Sequence, residues 1–320
     1  MIVLASVFSE GSLAALLGGA LIAGVPLLFA SLGELVSQRS GVLNIGLEGM
    51  MLMGAYAGFV AAYYGGNEWY GFGGGMAAGA AVALIMVLFC VTWGLDQIVV
   101  GIAITLACEG ATALIFDAEF AESRPTLGSA DRLSIPGLSD IPVVGGRDTS
   151  DGSLFSQPLV VYLGLVLVAV VAWILHRTHL GLNIRAAGDK PAALDAAGVS
   201  VTATRAAGTL FAGAMAGLGG AYLSIVSAGL FQDTVVGGRG FIAIVLAMLA
   251  RGRPMWAVTG SVLFGVSLSL ADWLQINNIN ISTDFVFMLP FLLVLLVLVV
   301  FGRRAYLPAA LALPYVRGAR

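Results

Sequence analysis

The stretch RSGVLNIGLEGMMLMGAYAGF, residues 39–59, decides what kind of protein this is. From Val42 onward it is apolar for long enough to form the body of a membrane-crossing helix, yet Asn44 and Glu48 stand near its start. Their i, i+4 spacing puts both side chains on one helical face. An ionisable group at or just inside a bilayer is costly, so such a face turns toward protein or a water-filled path. The residues leave two roles open: a pore-lining polar face, or a buried hydrogen bond that pins the helix.

Outward from this stretch the pattern repeats to both ends. Of the 320 residues 59% are hydrophobic and 10% charged, and mean hydropathy is +0.98. A soluble domain carries roughly 25% charged residues, so water is not the main solvent of this chain. Apolar runs predict an all-α, polytopic transmembrane bundle with helices at about 12–33, 43–63, 74–95, 98–117, 158–176, 201–227, 239–250, 255–273 and 284–302. The seventh is too short to cross. It reads as a half-crossing or re-entrant helix, with Gly237, Gly238 and Gly240 allowing a sharp turn before it, so the total is eight or nine. The 43 glycines suit helices that approach closely in lipid. The first helix lacks a basic n-region and a small-residue cleavage site, and is expected to be retained.

Basic residues orient the bundle. Arg39, Arg177, Arg185, Lys190, Arg205, Arg251, Arg253, Arg303, Arg304, Arg317 and Arg320 fall on one side if the helices alternate. The positive-inside rule makes that side the cytoplasm, with the N-terminus outside and the C-terminus inside a cytoplasmic membrane. Residues 1–320 then form a single membrane domain. An acidic extracytoplasmic loop at 118–157, rich in Pro, Gly and Ser, is expected to be a lid or docking surface, with a short hairpin near Leu138 to Val144. Leu28-Phe29-Ala30 leading to 44–58 also resembles Leu210-Phe211-Ala212 leading to 240–252, an inverted-repeat pattern that in transporters places the solute site near the midplane.

Enzyme chemistry finds no foothold. Lys190 is the only lysine and is followed by proline, so a G-x-x-x-x-G-K-[ST] phosphate loop cannot be written. His176 and His179 have no carboxylate or Cys partners at metal-ligand spacing and read as helix-end residues. Cys90 and Cys108 lie inside apolar runs and read as core residues, not as a disulfide or a metal pair. No catalytic residue, resident cofactor or metal is expected. Glu34, Glu48, Glu109 and Asp272, with Gln275 just beyond the last, are intramembrane polar groups suited to an ion relay, a helix contact or the edge of a solute path. Phe29, Phe211, Phe241 and Trp273 supply aromatic surface that serves either packing or a wall against a base.

The run at Arg39 to Phe59 resembles the signature of the nucleoside-type permeases within the branched-chain amino acid and simple-sugar permease family of ABC importers. Similarity continues in LSIPGLSDIPVVG at 133–145, GLNIRAAGDKPAALDAAGVSV at 181–201 and GGRGFIAIVLAMLARGRP at 237–254, and so covers nearly the whole chain. The resemblance implies a subunit that imports nucleosides, or a related polar solute such as a sugar, by ATP-driven alternating access. It implies as partners a second permease (in a heterodimer or a homodimer), a cytoplasmic ABC ATPase that uses the ATP, an extracytoplasmic solute-binding protein and membrane lipid, with no nucleic acid. Asn44, Glu48, Phe29, Phe211 and Phe241 are the candidate residues of the substrate path. The resemblance makes 177–200 a coupling segment carried by Gly181, Arg185, Gly188, Asp189, Lys190 and Pro191, with Asp189 the expected N-cap of a short helix. Without the resemblance, an ion-coupled secondary transporter or channel using Glu34, Glu48 or Glu109, and a membrane scaffold without transport, remain open.

Overall fold

The computed structural model describes residues 10–121, 124–128, 130–134, 156–276 and 307–316, with isolated positions between 288 and 299. The expected helix at 284–302, the expected hairpin at 138–144 and the side chains of Asp272 and Gln275 lie outside the described residues, wholly or in large part. Helices account for nearly all the regular structure: α1 (Glu10–Ser40), α2 (Leu47–Gly65), α3 (Glu68–Met86), α4 (Gln97–Glu119), α5 (Leu159–Arg177), α6 (His179–Asp189), α7 (Pro191–Ala196), α8 (Val201–Tyr222), α9 (Arg239–Leu249) and α10 (Pro254–Ile276). Among the described residues, five helical stretches are long and apolar enough to cross a membrane.

Local chemistry sets the helix ends. Asn67 accepts from the Trp69 amide ahead of α3, and one carboxylate oxygen of Asp96 accepts from the amides of Ile98 and Val99 ahead of α4. Single π-turns, Val87–Thr92 and Leu223–Ser227, continue α3 and α8. α1 does not stop near residue 33, where polar residues begin. It runs to Ser40, with Glu34, Ser37, Gln38 and Ser40 all buried. These polar groups find partners within the bundle: Ser37 Oγ donates to the Val42 carbonyl at 3.0 Å and Ser40 Oγ to the Ser37 carbonyl at 2.7 Å. At the far side of the turn, Gly41 adopts φ +97°, and α2 starts only at Leu47.

At the middle of the bundle α2 packs against α3, α4, α8 and α9, while α1 packs on α8, α9 and α10. Glycines bring these helices within backbone contact. A methyl group at Gly54 would overlap the Cα and carbonyl of Gly217, and one at Gly79 would overlap the Gly213 carbonyl. Lipid supplies no hydrophobic drive between helices, so such close approach is a main source of association.

α9 has 11 residues, about 16 Å of rise against a hydrocarbon core of about 30 Å. Residues 228–238, which precede it, are irregular chain. Leu127 donates to the Gly229 carbonyl at 2.7 Å, Phe231 packs edge-on to Tyr56 at 5.5 Å, and the chain ends against Glu48 two turns further along α2. Non-helical backbone at membrane depth is tolerated only when buried against protein, and Phe231 and Val236 are buried here. At the other flank, β1 (Arg132–Ser134) pairs antiparallel with β2 (Ser156–Pro158), in the register Leu133 opposite Gln157, and clasps the base of the long loop.

Candidate functional site

Two broken elements meet at the start of α2. Gly238 adopts φ +81° and turns the chain into α9, so that the first amides of α9 point at Glu48. The Gly238 amide donates to Glu48 Oε1 at 2.8 Å and the Gly240 amide to Oε2 at 2.6 Å. A carboxylate is thus split across the positive end of a half-helix, where the amide dipoles favour a negative charge and no intrahelical acceptor exists. Gly240 is required by space: a Cβ there would lie 2.6 Å from both the Cα and Oε2 of Glu48.

Next to this junction lies a second buried carboxylate. Glu34 on α1 is 0% exposed; its Oε1 accepts from Gln38 Nε2 at 2.9 Å and from the Asn44 amide at 3.2 Å. Gln38 Nε2 also reaches the Ile244 carbonyl of α9 at 3.4 Å. Asn44, equally buried, donates from Nδ2 to Met50 Sδ at 3.2 Å. Gln97 at the head of α4 accepts the Leu43 amide at 2.8 Å. Glu34 Oε2 and Asn44 Oδ1 face no donor among the described residues. The 41–46 turn is therefore held by side chains of α1 and α4, and α9 is held by α2. The stretches that read as an inverted repeat meet here, through Glu48 and Gly240.

The aromatic residues do not form one surface with this cluster. Phe29 is 1% exposed and packs with Val25, Val161 and Tyr222, its ring lying over Gly164. Phe211, partly buried, packs on the same cluster and lines a groove with Val36, Ile184 and Thr204. Phe241 stands on α9 beside the Glu48 junction and is 46% exposed. Glu109 lies exposed midway along α4. Trp273 is partly buried on α10.

Residues 177–200 form two helices and not a loop. Thr178 caps α6 by accepting the Gly181 amide at 3.2 Å. Gly181 packs on the end of α5, where a Cβ would overlap the Ile174 carbonyl. Arg185 Nε donates to the Gly181 carbonyl at 3.3 Å. Asp189 is the last residue of α6 and not the cap of α7: Lys190 holds that position without a side-chain bond, because Pro191 at the first helical position supplies the preset backbone. Gly188 is buried against the Arg39 carbonyl and Pro308. Among the described residues no group of His, Cys, Asp and Glu is arranged to hold a metal ion.

Sequence reasoning missed three contributors: Gln38, Gln97 and the buried Arg205. The first two follow polar residues that read as helix ends, and Arg205 read only as a positive charge. Gln97 meets the Leu43 amide 54 positions away and Gln38 the Ile244 carbonyl 206 positions away, so no local signal marks these contacts.

A sequence model of the family described as branched-chain amino acid transport system, permease component, matches residues 3–298. Three relatives align over most of their length. A Haloferax volcanii protein assigned as a glucose ABC transporter permease is 37% identical over 84% of this chain and 79% of its own. The guanosine ABC transporter permease of Bacillus subtilis is 33% identical over 94% and 96%, and the nucleoside ABC transporter permease of Lactococcus lactis 31% over 93% and 95%. No solved structure matches.

Proposed function

The chain belongs to the family of branched-chain amino acid transport system permease components, and on that premise we propose that it is the membrane subunit of an ABC importer that carries uncharged nucleosides into the cell. The observation that carries the reading is end-to-end similarity to permeases named for guanosine and nucleosides. A physical argument supports an uncharged cargo. Half-helix N-termini in transporters commonly meet anionic groups of the substrate. Here Glu48 already occupies that end of α9, so a carboxylate or phosphate on the solute would meet like charge.

The α6–α7 pair is the surface that receives a cytoplasmic ATPase, which hydrolyses the ATP; this chain performs no catalysis and binds no cofactor. Orientation follows: α6 and α7 lie in the cytoplasm, the N-terminus outside. A second permease covers α4. Glu109 is the thirteenth of 23 residues in that helix and is exposed, a position where an ionisable side chain needs water or protein, not lipid. On this reading Phe241 lines the solute path where it opens between the two permeases, Glu48 and the buried Asn44 hold the elements behind it, and Phe29 and Phe211 shape it from the packed side. A solute-binding protein docks at the loop containing β1 and β2.

The 37% identity to the glucose permease favours a second reading, with a hexose as cargo. Proteoliposomes holding the two permeases and the ATPase, supplied with the binding protein, separate them. ATP-driven, vanadate-sensitive uptake of guanosine that excess glucose leaves unchanged supports the nucleoside reading. Uptake of glucose alone replaces it, and uptake that persists without ATP removes the ABC reading.

A further inference from the structure

Residues 307–316 form no helix or strand, yet they cross one end of the bundle and bind three elements. The Ala310 amide donates to the Gly188 carbonyl at 2.8 Å, and the Ala312 amide to the Gly41 carbonyl at 3.1 Å. Gly188 belongs to the last turn of α6, whose carbonyls have no intrahelical partner, and Gly41 directly follows α1. Pro308 lies against Gly188, Pro314 against Gly94, and Tyr315 against the Ala187, Leu194 and Val201 cluster.

Arg205 binds this segment from beneath. It is 3% exposed, just over one turn into α8. Its Nη1 donates to the Leu313 carbonyl at 2.7 Å, and its Nη2 to the carbonyls of Ala187 at 3.3 Å and Ala310 at 3.4 Å. A planar guanidinium offers donors in fixed directions, and this one spans the end of α6 and two points of the tail. Gly41 leaves room for it: a Cβ there would be 2.9 Å from Nη2. Ala312 is held at φ +60°, a conformation L-residues avoid, in the geometry that delivers its amide to Gly41. Strain of this kind persists only where the surroundings impose it.

We propose that Arg205 and residues 307–316 form a latch joining the α6–α7 element to the ends of α1 and α8, so that a push on α6–α7 by the ATPase moves the bundle and not that element alone. The proposal rests on the permease reading. α6 also packs directly on α1, α5 and α8; the latch adds hydrogen bonds that tie its last turn, through Arg205 and the tail, to α8 and to the end of α1. Arg205 is a positioning residue: its partners are carbonyls of α6 and of the tail.

The test uses the reconstituted importer and reads ATP hydrolysis and guanosine uptake in the same vesicles. Arg205→Gln removes the guanidinium. Ala310→Pro removes one amide donor while keeping Arg205, and so guards against a folding defect specific to the first variant. Arg205→Lys keeps charge without the fork. The latch predicts that hydrolysis stays within about twofold of the parent, while solute moved per ATP falls on the order of fivefold or more in Arg205→Gln and Ala310→Pro, and less in Arg205→Lys. Uptake and hydrolysis falling in proportion in both variants would mean a structural role only and overturn the latch, as would an unchanged ratio. Absence of ATP-driven uptake by the parent assembly overturns the permease reading itself.

Discussion

Replacing Glu48 with Gln tests whether the junction between α2 and α9 holds the half-helix in place. The carboxylate accepts the Gly238 amide at 2.8 Å on one oxygen and the Gly240 amide at 2.6 Å on the other. Glutamine keeps one acceptor and turns an NH2 group toward the second amide. One buried N–H then loses its partner, at about 1–3 kcal/mol. Loss of the negative charge at the helix N-terminus adds about 1 kcal/mol, up to 2 when partly buried. Together the substitution is expected to destabilise the fold by roughly 2–4 kcal/mol, with nearly the same side-chain volume. Reversible unfolding in mixed detergent micelles measures this directly, and uptake measured in parallel should fall because α9 no longer sits at a fixed depth. Glu48→Asp should behave differently: it keeps both oxygens but is one methylene short, so it retains the charge term and loses bond geometry. A Glu48→Gln protein within about 0.5 kcal/mol of the parent, below the typical value of a single hydrogen bond, would refute the account of this site.

Other substitutions probe other links in the chain of argument. Gly217→Ala drives a methyl into the Gly75 carbonyl and is expected to cost about 1–3 kcal/mol or to abolish accumulation in the membrane, read by unfolding and by membrane yield. Asp96→Ala removes the acceptor for two α4 amides and should cost about 1 kcal/mol, with Asp96→Asn restoring most of it, in the same unfolding assay. Gly188→Ala places a methyl against the Arg39 carbonyl and Pro308, and is expected to lower guanosine uptake per ATP while solute binding to the soluble partner stays unchanged, as isothermal titration would record. Guanosine monophosphate should not compete with guanosine for uptake, because its phosphate would face Glu48; competition at equal concentration would contradict the assignment of an uncharged cargo.

Much of the molecule was legible in its residues because a bilayer imposes a one-dimensional rule: a segment either satisfies its own backbone in lipid or does not enter. Composition therefore sufficed for an all-helical membrane bundle, and the glycines before a short apolar run sufficed for a short helix, α9, entered through a sharp turn. Asn44 and Glu48 were visible as polar residues where polar residues are expensive. Three things were decided only by tertiary structure. Polar residues after Gly33 read as a helix end, yet α1 continues through them because the bundle supplies their partners. Which residue meets the positive end of α9 depends on a contact across 190 positions, and nothing near Glu48 encodes its distance from Gly238. Arg205 looked like one more cytoplasmic charge until the tail's carbonyls closed around it. Hydropathy is a property of each segment alone, so sequence reveals it; pairing depends on which segments the fold brings together, so only the folded chain does.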